Sequence, residues 1–113
     1  DLKRREILFS VRITESLANS WGVAQGGMLA AIFDTCMGQT VRAFLSCESA
    51  KTVSMQLQYL RPVPLGATLQ VCVRLLSGGR TIAAVQTLAW TDDPLQPSNQ
   101  ASATFHLGAH SEQ

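Results

Sequence analysis

Apolar and polar residues alternate along most of the chain, and a period of two is typical of strands with one buried face. The alternation predicts five strands, at residues 7–14, 52–60, 68–77, 80–91 and 99–107. In the second of these strands, one side should carry Val53, Met55, Leu57 and Tyr59, and the other side Thr52, Ser54, Gln56 and Gln58. The pattern therefore predicts a sheet with one face against a core.

Residues 26–45 break this alternation and read GGMLAAIFDTCMGQTVRAFL. They predict one long helix that is apolar on most sides, and such a helix is usually covered by the rest of the protein. A membrane span is the alternative interpretation, but Asp34, Gln39 and Arg42 interrupt the apolar run. Because a charge inside a bilayer is costly, we expect no membrane association.

The order of the elements is one strand, one helix and four further strands joined by short turns. This order predicts a single α+β domain over residues 1–113, with five antiparallel strands around one buried helix. Gly78 and Gly79 predict a hairpin turn in which the glycines supply positive φ. If the strand at 52–60 lies at an edge of the sheet, its free backbone groups could pair with a second copy.

Composition adds an expectation about assembly and excludes one class of partner. The 113 residues are 46% hydrophobic and only 15% charged, against roughly 25% charged residues in an average soluble domain. So much apolar surface predicts an oligomer. The net charge of +1 provides no basic field for a nucleic-acid backbone, so we expect no nucleic-acid partner.

Cysteine usage and the charged start predict the compartment. Cys36, Cys47 and Cys72 are odd in number and lack the spacing of a zinc or redox site. The two histidines lie near the C-terminus, which argues against a His-rich metal centre. Because the charged residues 1–6 lead into no apolar segment, no signal peptide is expected. These features predict a reduced, cytoplasmic protein without a metal site.

Two features of the predicted helix indicate chemistry. Asp34 lies in the middle of the apolar run, and buried acids cluster at functional sites, although such a residue can also face solvent. Gln25, Gly26 and Gly27 begin the helix, where unpaired N–H groups favour a developing negative charge and glycines permit close approach. An ordinary glycine-rich helix start is the alternative. Asn19 could orient a carbonyl or close an Asx-turn.

The spacing of these two features predicts that two subunits build one site. Gly26 and Asp34 are eight residues apart, which corresponds to about 12 Å along a helix axis. Asp34 therefore cannot reach an acyl carbon held at the start of its own helix. In a two-fold dimer with antiparallel helices, Asp34 of one chain would approach Gly26 of the other, and two such sites would form.

A longer set of motifs resembles a known family. Residues 19–28 (NSWGVAQGGM), Asp34 nine residues after Gln25, and the segments 59–62 (YLRP) and 65–66 (LG) are similar to the hotdog-fold acyl-CoA thioesterases. The resemblance is to the phenylacetate-pathway branch of the 4-hydroxybenzoyl-CoA thioesterase group and covers about residues 7–105. It implies a hotdog fold, in which a five-stranded antiparallel sheet wraps around one long central helix.

The resemblance also implies roles for the residues at matching positions. Asp34 would be the nucleophile or general base, the Gly26 N–H would stabilise the oxyanion, and Thr52 would hold the attacking water. Asn19 and Gln25 would orient the thioester. These roles imply an acyl-CoA thioesterase, acting as a homodimer or a dimer of dimers, with no metal or redox cofactor and with CoA present only as part of the substrate.

One position departs from the family motif, which is N-x-x-G-x-x-H-G-G. Gln25 stands where the family has His, and a neutral amide can donate a hydrogen bond but cannot titrate. This departure favours a rival interpretation, a non-catalytic acyl-CoA-binding or assembly module with the same fold. The presence of both Asp34 and Thr52 favours the enzyme.

Four further residues are candidate substrate contacts. Gly27 would allow a ligand close to the backbone. Arg61 and Arg80 each adjoin a turn and could bind CoA phosphates by charge-assisted hydrogen bonds; solvated surface charges are the alternative. Trp21 could line an acyl pocket, with a packing role as the alternative.

Overall fold

The computed structural model describes residues 3–18 and 21–108. The elements are β1 (Glu6–Arg12), a short 3-10 helix (Glu15–Leu17), α1 (Gly26–Leu45), β2 (Ala50–Tyr59), β3 (Thr68–Gly78), β4 (Ile82–Trp90) and β5 (Asn99–Leu107). The predicted α+β order is confirmed, and the bounds of α1 and β5 agree with those predicted.

The five strands form one antiparallel sheet in the order β1-β3-β4-β5-β2. The helix α1 packs against one face of this sheet. β1 and β2 are the two edge strands. One side of β2 therefore has open backbone groups, as pairing with a second copy would require. Within the described residues, no helix combines the length and the apolar character needed to cross a membrane.

The core lies between α1 and the inner face of the sheet. Every second residue of β3 and β4 faces α1 and is buried: Leu69, Val71, Val73, Leu75, Ala83, Val85, Thr87 and Ala89. The helix contributes Leu29, Phe33, Cys36, Met37, Thr40 and Val41. Burying a side chain as large as Leu or Phe stabilises the folded state by about 1.5–3 kcal/mol. Burial of this layer therefore holds α1 against the sheet.

A β-bulge in β2 corrects one sequence prediction. The register between β2 and β5 shifts between Thr52 and Ser54, so that Thr52 lies opposite Phe105, a buried inward-facing residue. Strict alternation placed Thr52 on the side opposite Met55 and Leu57, and this was wrong. The extra residue, Val53, is 61% exposed. The bulge thus returns Thr52 to the face that carries α1.

The β3–β4 hairpin corrects a second prediction. Neither Gly78 nor Gly79 has a positive φ. β4 begins at Ile82, two residues later than predicted, and the Gly79 N–H donates to the Ile82 carbonyl at 2.9 Å. A Cβ at Gly78 would lie 2.7 Å from Cδ2 of Leu45, the last residue of α1. The absence of a side chain at Gly78 therefore makes room for the end of the helix.

Candidate active site

Hydrogen bonds from the preceding loop fix the start of α1. The Gln25 N–H donates to the Leu17 carbonyl at 2.8 Å, and the Leu29 N–H donates to the Gln25 carbonyl at 3.0 Å. In a planar trans peptide, the C=O and N–H groups point in opposite directions. Because the Gln25 carbonyl points into the helix, the Gly26 N–H points away from the first turn. This N–H lies at the positive end of the helix dipole, where a developing oxyanion is stabilised.

Tyr59, at the end of β2, lies against this first turn. Its hydroxyl donates to the Gly26 carbonyl at 2.6 Å, and a Cβ at Gly26 would lie 3.4 Å from the Tyr59 ring. Tyr59 was not among the predicted site residues, although its place in the YLRP motif could have indicated it. A shallow depression surrounds the contact, lined by Ala24, Gly26, Leu29, Tyr59, Leu60, Arg61, Pro62 and Val63.

Asp34 and Thr52 are brought together on the inner side of β2. The Thr52 hydroxyl donates to Oδ1 of Asp34 at 2.5 Å. Asp34 is half-buried and Thr52 is exposed, so the pair remains accessible to water and to a ligand. The pair lies in a second, polar depression, lined by Asp34, Thr35, Gly38, Gln39, Arg42, Glu48, Ser49, Ala50, Thr52 and Phe105.

Within one chain, the Gly26 end and the Asp34 end of the candidate site are separate. The two depressions share no lining residue, and eight helical residues span about 12 Å. A carboxylate that attacks a bound carbonyl, or activates water beside it, must lie within hydrogen-bonding reach of it. In a single copy, the Gly26 N–H and the Asp34 carboxylate are therefore apart; we call the depressions lined by these two residues the Gly26 half-site and the Asp34 half-site.

The remaining candidates lie mostly outside the two depressions. Gln25 is the exposed N-cap of α1 and makes no capping hydrogen bond with its side chain, and Gly27 is exposed with open space around it. Arg61 lines the Gly26 depression. Arg80 lies in the β3–β4 turn near the far end of α1 and lines neither depression.

Trp21 is 85% exposed, which excludes a packing role in the core. The predicted residue Asn19 lies outside the described residues.

The cysteines lie apart from this chemistry. Cys36 and Cys47 are buried, Cys72 is half-buried, and all three are free thiols. Burial raises the pKa of Cys36 to about 11. Burial, followed by the nearby carboxylate of Glu6, also raises the pKa of Cys72. Both thiols are therefore protonated at neutral pH and are weak nucleophiles.

Known sequences and structures that are similar to this chain point to one family. A sequence profile of the Thioesterase superfamily matches residues 22–98. Similar solved structures include a phenylacetic acid degradation-related protein from Ralstonia eutropha JMP134, with 30% identity and a TM-score of 0.84 over 94% of this chain and 79% of that chain. None of the curated proteins matches the chain.

Two more distant structures share the fold. A Streptococcus mutans UA159 protein bound to acetyl CoA has 21% identity and a TM-score of 0.85, over 96% of this chain and 86% of that one. A hypothetical thioesterase protein from Streptococcus pneumoniae TIGR4, solved with coenzyme A, has 21% identity and a TM-score of 0.84, over 94% and 84%. The resemblance to hotdog-fold thioesterases is confirmed, and the matched residues 22–98 contain Gly26, Asp34 and Thr52. The chain belongs to the thioesterase superfamily.

Proposed function

We propose that this protein is an acyl-CoA thioesterase that hydrolyses a CoA thioester to a free acid and CoA. The observation that carries the proposal is the Asp34–Thr52 hydrogen bond of 2.5 Å, formed at an accessible carboxylate in a member of the thioesterase superfamily. The acetyl CoA and coenzyme A bound to the two streptococcal structures support a CoA thioester as the ligand.

Each residue has a defined part in the proposed reaction. The Gly26 N–H donates to the thioester oxygen, and Gln25 and Asn19 orient the thioester. Asp34 either attacks the carbonyl carbon or removes a proton from the water that does so, while Thr52 holds Asp34 and the water in place. The C–S bond breaks, and the CoA thiolate leaves and is protonated. Where Asp34 attacks, a mixed anhydride forms first and water then cleaves it, which releases the acid and restores the carboxylate; where water attacks, its oxygen enters the acid directly.

The proposed site is shared between two copies of the chain. In a two-fold dimer, the Gly26 half-site of one chain would face the Asp34 half-site of its partner, and symmetry would create two complete sites. The 12 Å spacing of about two helical turns supports this arrangement, because neither chain alone brings the N–H and the carboxylate together. The edge position of β2 offers backbone groups for the pairing.

Gln25 favours a second candidate function, a module that binds acyl-CoA without turnover. The family motif has a titratable His at this position, and a Gln cannot supply or accept a proton. The two functions differ in one observable, the release of free CoA.

The test is a panel of acyl-CoAs with detection of the free thiol, using the wild type and Asp34→Asn. The substitution keeps the shape of the side chain and removes its charge, so turnover should fall about 10²–10⁴-fold while acyl-CoA binding is retained. Asp92→Asn, in the exposed β4–β5 loop, is the matched control and should retain full activity. Near-normal turnover by Asp34→Asn would remove this residue from the mechanism. Binding of acyl-CoA without CoA release by the wild type would establish the binding module instead.

A further inference from the structure

Basic residues are concentrated at one end of the sheet. The pairing of β1, β3 and β4 brings the segments 3–8 and 74–82 together at this end, which we call the basic end. Five exposed cationic side chains belong to it: Lys3, Arg4, Arg5, Arg74 and Arg80. Glu6 is the one acidic residue in the two segments. An ion pair with Glu6 could cancel only one of the five charges, so the basic end is positive.

The net charge of +1 hides this concentration, because the opposite end of the sheet is acidic. Among the described residues there, Glu15, Asp92 and Asp93 outnumber Arg12 and Arg61, and all five are exposed. A protein surface attracts a charged partner through the charges within about one Debye length, which is about 8 Å at physiological salt. The basic end can therefore attract an anionic partner although the chain as a whole is almost neutral.

Three large apolar side chains are exposed at the basic end. Leu8, Leu76 and Ile82 are 57%, 48% and 45% exposed, and they lie on the face of the sheet opposite α1. The register between β3 and β4 shifts between Leu75 and Ser77, so Leu76 is the extra residue of a β-bulge. Bulges at the rim of a sheet commonly change the direction of a side chain. Here the bulge adds an apolar side chain to the exposed face.

Hydrogen bonds hold the basic residues beside the bulge. The Leu75 N–H donates to the Arg5 carbonyl at 3.0 Å, and the Arg5 guanidinium donates to the Leu76 carbonyl at 3.5 Å. Arg74 comes directly before these two leucines and lies opposite Glu6 in the β1–β3 register. The cationic and apolar groups therefore form one continuous surface rather than two separate patches.

We propose that the basic end binds the surface of a bilayer that contains anionic phospholipids. Arginine binds phosphate groups through two parallel hydrogen bonds, and the layer of lipid phosphates lies directly above an apolar layer that Leu76 and Ile82 can enter. A nucleic acid or a soluble phosphate offers the anion without the apolar layer, and the segments 3–8 and 74–82 contain no aromatic residue on which bases could stack.

This contact goes beyond the proposed thioesterase function and does not depend on it. The expectation of no membrane association was drawn from α1 as a candidate span, and binding at the bilayer surface involves no span. Charge complementarity supports a lipid surface as the partner, since anionic lipids attract each nearby Lys or Arg.

The first experiment measures co-sedimentation of the wild type with lipid vesicles. Vesicles of phosphatidylcholine that contain about one quarter phosphatidylglycerol should bind the protein at about 0.1 M salt, and vesicles of phosphatidylcholine alone should not. Most of the binding should be lost at about 1 M salt, where the Debye length falls to about 3 Å. Equal binding to both kinds of vesicle, or no binding to the anionic ones, would overturn the proposal.

Two variants and two matched controls then locate the contact. Arg74→Gln should weaken binding to the anionic vesicles about fivefold, whereas Arg12→Gln, at the opposite end of the sheet, should leave it unchanged. Leu76→Ser should weaken it about threefold or more, because an apolar group no longer enters the bilayer. Leu95→Ser, which changes an 88% exposed leucine in the β4–β5 loop, is its control. All four positions are exposed, and melting temperatures confirm that the variants are folded. Equal effects of a variant and its control would contradict the proposed surface.

Three other anions test the competing partners of the basic end. Polyglutamate represents an acidic protein, duplex DNA a nucleic acid and free CoA a soluble phosphate compound, each compared with the vesicles at the same concentration of negative charge. All three should bind more weakly than the anionic vesicles, and Leu76→Ser should not weaken them. Tighter binding of any one of them, reduced by Arg74→Gln, would assign the basic end to that class of partner and overturn the lipid proposal. None of these measurements uses acyl-CoA turnover, so their outcome is independent of the thioesterase proposal.

Discussion

Gln25 is the residue whose chemistry separates this chain from the motif it otherwise matches. It is the exposed N-cap of α1, and its backbone is held at both its N–H and its carbonyl. The side chain makes no capping hydrogen bond, so a substitution there should leave the helix start intact. The position can therefore be changed to test its chemistry.

Gln25→His should introduce a pH dependence of activity near neutrality. Imidazole titrates at a pKa of about 6.5, whereas the amide of Gln does not titrate. The measurement is kcat/KM from pH 5.5 to 8.5 for both proteins, with Gln25→Asn as a non-titrating control. An identical pH profile for Gln25→His and the wild type would place this side chain outside the site.

The residues of the candidate site differ in how readily they could be predicted from the sequence. Asp34 is conspicuous because it is an acid in an apolar helix, and its importance could be inferred from the chain alone. Its partner Thr52 could be assigned only through the family resemblance, because strict alternation placed it on the other face. Tyr59 belongs to the YLRP motif, but an aromatic residue in a strand is ordinarily a packing residue, and only the structure reveals its hydrogen bond to Gly26.

Among the secondary-structure elements, the regular helix and strands could be predicted from the sequence, but the β-bulge and the hairpin turn could not. The bounds of α1 follow from an apolar run that breaks the alternation, those of β5 follow from alternation, and both agree with the structure. The bulge at Val53 depends on pairing with β5, a strand about 50 residues further along the chain, and no local pattern encodes that register. Gly78 was predicted as a turn residue, whereas glycine is needed there because a Cβ would lie too close to Leu45 at the end of α1.

The contact between the end of β2 and the start of α1 should matter for turnover. Tyr59→Phe keeps the ring against Gly26 and removes only the hydroxyl that donates to the Gly26 carbonyl. A hydrogen bond of this kind contributes about 0.5–1.5 kcal/mol, so we expect kcat to fall about 2- to 10-fold if it positions the oxyanion donor. KM should change less than twofold. A rise in KM with kcat unchanged would show that Tyr59 contributes to binding rather than to the orientation of the helix start.

The inner face of β4 contains a polar atom that weakens the core. Oγ1 of Thr87 is buried and has no hydrogen-bond partner among the described residues. Thr87→Val should raise the free energy of unfolding by about 1 kcal/mol, because it removes an unsatisfied hydroxyl at nearly constant shape. Thr40→Val is the matched control. The Thr40 hydroxyl donates to the Cys36 carbonyl at 2.8 Å, and its loss should not stabilise the protein. Urea unfolding measures both, and equal effects would contradict this account.

Exposed apolar residues and open backbone groups occur together on one edge of the molecule, at β2. β2 is an edge strand, and Val53 and Tyr59 on it and Leu60 directly after it are all at least half exposed. The low charged fraction predicted an oligomer without indicating which surface would associate. These exposed residues at one edge support β2 as that surface, and the proposed shared site would give the association a catalytic role.

A mixed-dimer experiment tests whether each site is shared. Asp34→Asn and Gln25→Ala, provided the second is also inactive, give homodimers in which both sites are defective. After unfolding, mixing in equal amounts and refolding, random pairing makes about half of the dimers mixed, and each of these has one site with both native groups and one site with neither. Activity should recover to roughly a quarter of the wild-type value, by counting intact sites in an isologous dimer. If each site is built within one chain, every site in the mixture stays defective. Mass spectrometry confirms that mixed dimers have formed, and no recovery in their presence would refute the shared site.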